Sequence, residues 1–376
     1  MKHNTLVSVI LVAGSAGGVS AQVLPAPHPH CDLVAVDVPA GAVLPAFDAA
    51  GWSVVTDRTA PQFQVIIDDP FNQLSAYAAV LRSNLGAACA RWAQVLDGPA
   101  GPVLITIVVR VDNNYVRSTS RSEATVAIGS SGGYTVYEQG AAHEVRTGVD
   151  PNGAVQDAVL TLNTAYVADE LWFDPDPAVR TAPVPAHRTD AVSVFLHELG
   201  HVLAFNGWRD SMTGQLPGGA QSTFDERTTF DGDFYFEGEA AGAAYGGPVP
   251  LTYGSARHVG NQSPRPGADL IPDLMNGMVF YRGTRYDISA LDIGLVRDCG
   301  VTVVSAGQGC DSVDFNQDGL FPDTSDIDDF LSVFSGGACS NDPQCSDVDF
   351  NNDGLFPDTL DIDSLLSVFS GGGCLV

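Results

Sequence analysis

Apolar side chains recur along this chain in two periods, and the changes between them mark out its elements. Phe63-Gln64-Val65-Ile66-Ile67 is short and rich in β-branched residues, and Asp68-Asp69-Pro70 stops it, so the pattern predicts a strand. From Gln73 to Leu96 the positions Leu74, Tyr77, Leu81, Leu85, Ala88, Trp92 and Leu96 fall at helical spacing, which predicts a long helix closed by Gly98-Pro99. Val103 to Val111 is a nearly unbroken β-branched run, the pattern of a central strand covered on both faces. Ala124 to Tyr137 predicts further strand and an edge hairpin, Val155 to Asn163 another strand, and the proline-rich Asp174 to Pro185 a loop. Thr189 or Asp190 can cap the next element, an apolar helix carrying Val192, Leu196, Leu199 and Leu203. Elements in this order predict an α+β domain, a mixed twisted sheet with long helices packed on it.

The two ends read differently. Residues 1–21 combine a basic start, an apolar run from Leu6 to Ala13 and small residues up to Ala21, which predicts a secretory signal peptide cleaved before Gln22. That run is too short to span a bilayer, and no later stretch is long and apolar enough, so the expected product is exported, with no transmembrane segment. Acidic residues number 45 against 17 basic ones, a formal charge of −28, and Lys2 is the only lysine. Such a field repels nucleic acid and anionic membranes and attracts divalent cations. Half of the excess lies beyond Cys310, where 14 aspartates stand with no lysine or arginine, so a domain boundary is expected in Ser305 to Gly309. The expected organisation is a signal peptide (1–21), an N-terminal segment (22–62), a catalytic domain (63–304) and a small acidic domain (305–376).

Inside the capped helix stands His197-Glu198-Leu199-Gly200-His201. Histidines at i and i+4 share a helix face, so both imidazoles can reach one metal ion, and the zinc-hydrolase signature uses this spacing. Glu198 lies roughly 100° around the helix, beside the metal, where it can take a proton from a bound water and pass it to a leaving amine. A catalytic zinc wants a third protein ligand. Downstream, the chain offers His258 in Ser255 to Gly260, Met275 in Pro272 to Gly277 and a short amphipathic helix from Tyr286 to Leu295. Glu226 and Glu239 are carboxylate candidates for the same place, whereas His143 and His187 read as core or surface residues.

From Phe63 to about Gly300 the chain resembles secreted zinc metalloproteases of the metzincin clan, in the leishmanolysin-like branch. The resemblance implies a zinc protease core with a C-terminal subdomain built around a Met-turn. It further implies His258 as the third zinc ligand, Met275 beneath the metal and Glu198 as the catalytic base of a zinc endopeptidase. The chain departs from the common motif, with Ala204 in place of a turn glycine and Gly207 in place of the nearby third histidine. Alanine there either costs about 1 kcal/mol or lets the helix run on toward Asn206-Gly207.

The acidic end is an internal repeat: the stretch from Cys310 to Ile327 recurs 35 residues later, from Cys345 to Ile362. Each copy holds Asp-x-Asn-x-Asp-Gly, the first half of an EF-hand-type calcium loop, followed by an apolar helix over Ile327 to Phe334 or Ile362 to Phe369. The pair resembles dockerin-like repeats, with one extra residue before the closing ligand. The expected calcium ligands are Asp314, Asn316, Asp318, Asp323 and Asp326 in one copy, and Asp349, Asn351, Asp353, Asp358 and Asp361 in the other. Two calcium ions and a small α-helical domain follow, able to dock a cell-surface partner or to protect the C-terminus. Seven cysteines in an exported chain imply disulfides and one free thiol. The shared 29-residue spacing suggests Cys310 with Cys339 and Cys345 with Cys374, although Cys339 could pair across the repeats with Cys345. Cys31 and Cys299 are left over with Cys89, which the long helix would keep buried and free.

The expected activity is hydrolysis of peptide bonds in a protein or peptide substrate. Two other classes stay open on sequence alone: a non-catalytic, calcium-dependent surface or adhesion protein on the same scaffold, and a hydrolase acting on a non-peptide amide.

Overall fold

The computed structural model describes residues 34–38, 60–98, 103–260, 270–277, 279–304, 310–320, 323–341, 345–351 and 359–370. The expected signal peptide, most of the 22–62 segment, the boundary at 305–309, Cys31, Cys374, Asp353 and Asp358 lie outside the described residues. Within them the architecture is α+β, with several small sheets, and no helix is long and apolar enough to cross a membrane.

The first half begins with strand β1 (Val34–Val36), followed by β2 (Gln62–Asp68), helix α1 (Ala78–Val95), β3 (Leu104–Val111), β4 (Ser118–Ser122), β5 (Thr125–Ser131), β6 (Tyr134–Gln139), helix α2 (Gly140–Thr147) and β7 (Ala158–Leu162). The main sheet runs β2-β3-β7-β4, with the first three strands parallel and β4 antiparallel at one side. β3 is central as its composition demanded: Ile105, Ile107 and Val109 are fully buried against the helices, and Val108 is covered on the opposite face. The long helix starts later than its periodicity predicts. The Asp69 carboxylate accepts hydrogen bonds from the Gln73 and Leu74 amides, and Asn72 takes a left-handed φ of 55°, so the chain turns before α1 begins. The expected hairpin is β5-β6, joined by Gly132 and Gly133, both at positive φ, as a two-residue turn requires. Sequence reasoning did not predict β4 or α2.

Helix α3 (Thr164–Asp169) and the short parallel pair β8 (Leu171–Trp172) and β9 (Thr189–Asp190) lead into α4 (Ala191–Leu203). Asp190 caps α4 as expected, its carboxylate accepting from the Ser193 amide at 3.0 Å, and it also receives the buried Arg180 guanidinium at 2.5 Å. Every residue of α4 is buried, and the Trp92 indole of α1 donates to the Leu196 carbonyl at 2.9 Å, locking the two helices together.

Beyond α4 come β10 (Ala220–Ser222), α5 (Thr223–Glu226), the hairpin β11 (Thr228–Phe230) and β12 (Phe234–Phe236), α6 (Glu239–Tyr245), β13 (Val249–Pro250), β14 (Val279–Tyr281) and α7 (Ala290–Asp298). β14 pairs in parallel with β1, which brings residues 34–36 beside the signature helix. Ser289 and Asp292 open α7 with a reciprocal capping box at its N-terminus.

The acidic repeats supply helices α8 (Thr324–Phe334) and α9 (Thr359–Phe369) around a separate core of Phe315, Phe330, Val348, Phe350 and Leu365. The repeats exchange backbone hydrogen bonds reciprocally, Asp311 amide to Phe350 carbonyl at 2.8 Å and Ser346 amide to Phe315 carbonyl at 2.9 Å. One expectation is corrected here. Cys339 pairs with Cys345, so neither clasp within a repeat forms, and the bridge joins the end of the first repeat to the start of the second. The reason is direction: after α8 the chain turns back through Gly336 at φ 82°, which carries Cys339 toward the next repeat. Among the described residues Cys89 and Cys299 are free thiols, and both are buried.

Candidate metal centre

Two of the three histidines are placed by helical geometry alone. His197 and His201 sit one turn apart on α4, and their Nε2 atoms approach to 3.2 Å. The third comes from 57 residues away: the His258 Nε2 lies 3.0 Å from that of His201. His258 is carried there by a short ladder. Val259 bridges Leu251 on one side and Asn276 on the other, its amide donates to the Met275 carbonyl at 3.0 Å, and the Thr252 hydroxyl donates to its carbonyl at 2.6 Å. The same ladder fixes Met275, which is fully buried against α4. A β-carbon on Gly200 would stand 2.6 Å from the Met275 sulfur, so the glycine inside the signature makes room for the methionine.

The opposite edge of each ring is held as well. His197 Nδ1 donates to the Leu274 carbonyl at 2.7 Å and His201 Nδ1 to the Phe205 carbonyl at 2.7 Å, while His258 Nδ1 meets the Ser255 hydroxyl at 2.8 Å. A carbonyl only accepts, so the first two rings carry a proton at Nδ1, and their Nε2 lone pairs face the shared centre. Burial holds all three rings neutral. It lowers His197 and His258 well below the ordinary histidine value and His201 to about 4, and mutual repulsion adds to the effect at His197 and His258. Three buried ring nitrogens, with His201 Nε2 3.2 and 3.0 Å from those of His197 and His258 and all three within 4.8 Å of one another, fit a cation. Tetrahedral zinc with nitrogen ligands at 2.0–2.1 Å places them about 3.3 Å apart, close to the spacing seen.

Glu198 is buried beside this cluster and turned toward β4. Its two carboxylate oxygens accept the Ser118 hydroxyl at 2.6 Å and the Ser120 hydroxyl at 2.7 Å. Burial raises its pKa to about 7, and the two serine hydrogen bonds pull the other way. A small cavity joins Glu198 to His197 and is closed by Ala35 of β1, Arg117, Tyr166 and Phe280. Ser118 and Ser120 were missed by sequence reasoning. Their signal is an alternation of serines from 118 to 122, which becomes readable only once that stretch is known to be a strand facing α4.

The rival ligands lie elsewhere. Glu226, Glu239 and His187 are exposed, and His143 is engaged with Glu138 at 2.9 Å. Ala204 takes φ −145°, and α4 ends at Leu203, so the extension toward Asn206 does not occur and no left-handed strain arises. The turn that follows presents the Phe205 carbonyl to His201.

In the first acidic repeat the Asp314 carboxylate accepts the Asp318 and Gly319 amides, the Asn316 side chain accepts the Asp318 amide, and Asp326 is fully buried beneath them. Asp323 caps α8 through the Ser325 and Asp326 amides. Among the described residues these carboxylates do not gather as closely as the three histidines do. In the second repeat Asn351 and Asp361 are buried and Asp349 lies at the start of the loop.

No family model matches the chain, and neither a curated protein nor a solved structure does so.

Proposed function

We propose that this chain is an exported zinc endopeptidase of the metzincin type, with C-terminal repeats that bind calcium. The observation that carries the reading is the arrival of His258 at the two signature histidines, which makes a three-nitrogen set from residues far apart in sequence. His197, His201 and His258 would hold the zinc. When bound by three protein ligands with a fourth position open, zinc supplies Lewis-acid chemistry toward water and carbonyl oxygen.

The chain's own residues do the rest. Glu198 takes the proton of the attacking water on a carboxylate oxygen and returns it to the leaving amine, a role suited to a group poised near neutrality. Ser118 and Ser120 hold that carboxylate in one orientation while they stabilise its charged form. β4, which carries both serines, is the outer strand of the main sheet, and its burial against α4 keeps them fixed on the carboxylate. An exported acidic protein with calcium repeats suits work outside the cell on protein substrates.

The test is a set of substitutions in the full chain. Glu198→Gln is expected to retain one zinc per chain and lose hydrolysis of casein or gelatin by at least about a hundredfold, the scale of a lost general base. His258→Ala is expected to lower zinc content, with Glu226→Ala and Glu239→Ala unchanged. Full activity in the first variant removes the mechanism. Full zinc loading in the second removes His258 as ligand.

A further inference from the structure

A second cluster of oxygen atoms lies where α2 gives way to β7, and it has no part in the histidine centre. Glu144 stands in the last turn of α2, which ends at Gly148 with φ 71°. The chain then loops through Asp150, Asn152 and Gly153 before Asp157 leads into β7. Carboxylate oxygens of Glu144, Asp150 and Asp157 all lie within 4.8 Å of one another.

Three carboxylates alone would be an unremarkable acidic patch, but the state of their oxygens is unusual. Glu144 and Asp157 are more than nine-tenths buried, with 6% and 4% of their surface exposed. Glu144 Oε2, Asp157 Oδ1 and Asn152 Oδ1 are each buried and, among the described residues, meet only other members of the cluster, Glu144 with Asp157 through a proton that one of the two has to retain, and Asn152 with Asp157. The remaining atoms of these side chains are used to hold them in place. Asp157 Oδ2 accepts the Thr106 amide at 2.7 Å. Asp150 Oδ1 accepts the Asn152 and Gly153 amides at 2.9 and 2.7 Å. Asn152 Nδ2 donates to the Val155 and Gln156 carbonyls, both at 2.8 Å, which identifies the other atom of that amide as oxygen. A buried acceptor left without a donor is costly, and more so when charged; without a cation, Glu144 has to keep a proton that it shares with Asp157, and a cation held by the same oxygens would take the place of that proton.

We infer that Glu144, Asp150, Asn152 and Asp157 form a calcium site that clamps the α2–β7 loop. Every candidate ligand is a hard oxygen, with no nitrogen or sulfur among them, which favours calcium or magnesium over zinc. Coordination habit separates those two. Calcium takes six to eight oxygen ligands in flexible geometry, whereas magnesium demands a near-ideal octahedron and keeps several of its waters. A mixture of carboxylates and an amide drawn from a helix end, a loop and a strand start suits the more flexible ion. Repulsion points the same way: burial and the neighbouring Asp157 and Asp150 charges push the Glu144 carboxyl up to about 8, a strain that a divalent cation relieves. α2 packs against α4, so the clamp would stiffen a support of the signature helix.

The test uses the full chain, treated with EGTA and titrated with calcium by equilibrium dialysis and by thermal melting. It compares the parent with Asp150→Asn and with Glu144→Gln/Asp157→Asn. Asp150→Asn keeps an oxygen for both loop amides, so it is expected to fold and to weaken one site at least tenfold. The double variant is expected to bind one calcium fewer than the parent, however many ions the acidic repeats hold, and to lose part of the calcium-induced rise in melting temperature. In EGTA it should melt no lower than the parent, because it carries fewer buried charges. Unchanged calcium stoichiometry and affinity in Asp150→Asn would overturn the site, and that variant decides the matter if the double variant does not fold.

Discussion

Replacing Glu198 with glutamine isolates the cost of burying one carboxylate in the middle of this protein. Burial raises the Glu198 carboxyl from an ordinary value of 4.5 to about 7, against the opposing pull of the Ser118 and Ser120 hydroxyls. The folded chain therefore holds this proton more tightly than the unfolded chain does. Below pH 4.5 both states are protonated and the carboxylate adds no charge penalty. Between pH 4.5 and 7 the unfolded state ionises first, so the stability gained from the neutral acid is lost as pH rises, and above pH 7 the loss is complete. At about 1.4 kcal/mol per pH unit, the window amounts to about 3 kcal/mol. Glutamine keeps the shape and can still bond both serine hydroxyls, yet it does not ionise. In metal-free protein, Glu198→Gln is expected to match the parent near pH 4.5 and to exceed it by up to about 3 kcal/mol at pH 8. Urea denaturation of both chains from pH 4.5 to 8, in the presence of a chelator, reads the difference directly, because all other titrations are common to both. A difference that stays flat across that range would show that Glu198 is not buried as a carboxylate, and the argument for a poised base would fail with it.

Three further outcomes follow from the same packing. Ser118→Ala or Ser120→Ala removes a hydrogen bond to a charged oxygen, worth about 1.5–3 kcal/mol, so the acid limb of kcat/KM against pH should move up by about one to two units. An unmoved limb would mean that the hydroxyls do not hold the working base. Gly260→Ala places a methyl group 2.8 Å from the Leu251 backbone, which has no side-chain freedom to yield, and is expected to lower stability by about 1–3 kcal/mol and to weaken zinc binding through His258. Normal melting and normal zinc affinity would show that the His258 ladder is looser than described. Peptide mapping should recover Cys339 linked to Cys345, while Cys89 and Cys299 should react with a thiol reagent only after denaturation, because burial covers both and raises their pKa. Fast reaction of either thiol in the native state would contradict that burial.

What the sequence determined by itself was much of what local periodicity controls, although the start of α1, strand β4 and helix α2 escaped it. The helical face shared by His197 and His201, the cap at Asp190, the buried run of β3 and the glycine hairpin of β5 and β6 all depend on neighbours within a few residues, so pattern alone places them. The repeat in the acidic end was legible for the same reason, as was the pair of apolar helices that follows its loops. Other parts of the site required the folded chain. His258 was named on resemblance, but its meeting with His201 depends on a ladder through Val259 and Met275 that no local rule encodes. Ser118 and Ser120 reach Glu198 across 80 and 78 residues, and a serine in a strand carries no sign of what it faces. The disulfide followed the path of the chain after α8 and not the equal spacing of cysteines. Calcium-type oxygens around Glu144 came together from a helix end, a loop and a strand start. The physical reason is common to all of these. Backbone propensity and hydrophobic period act over one or two turns, whereas a site is assembled where distant elements pack, and only the tertiary structure decides which side chains share a buried centre.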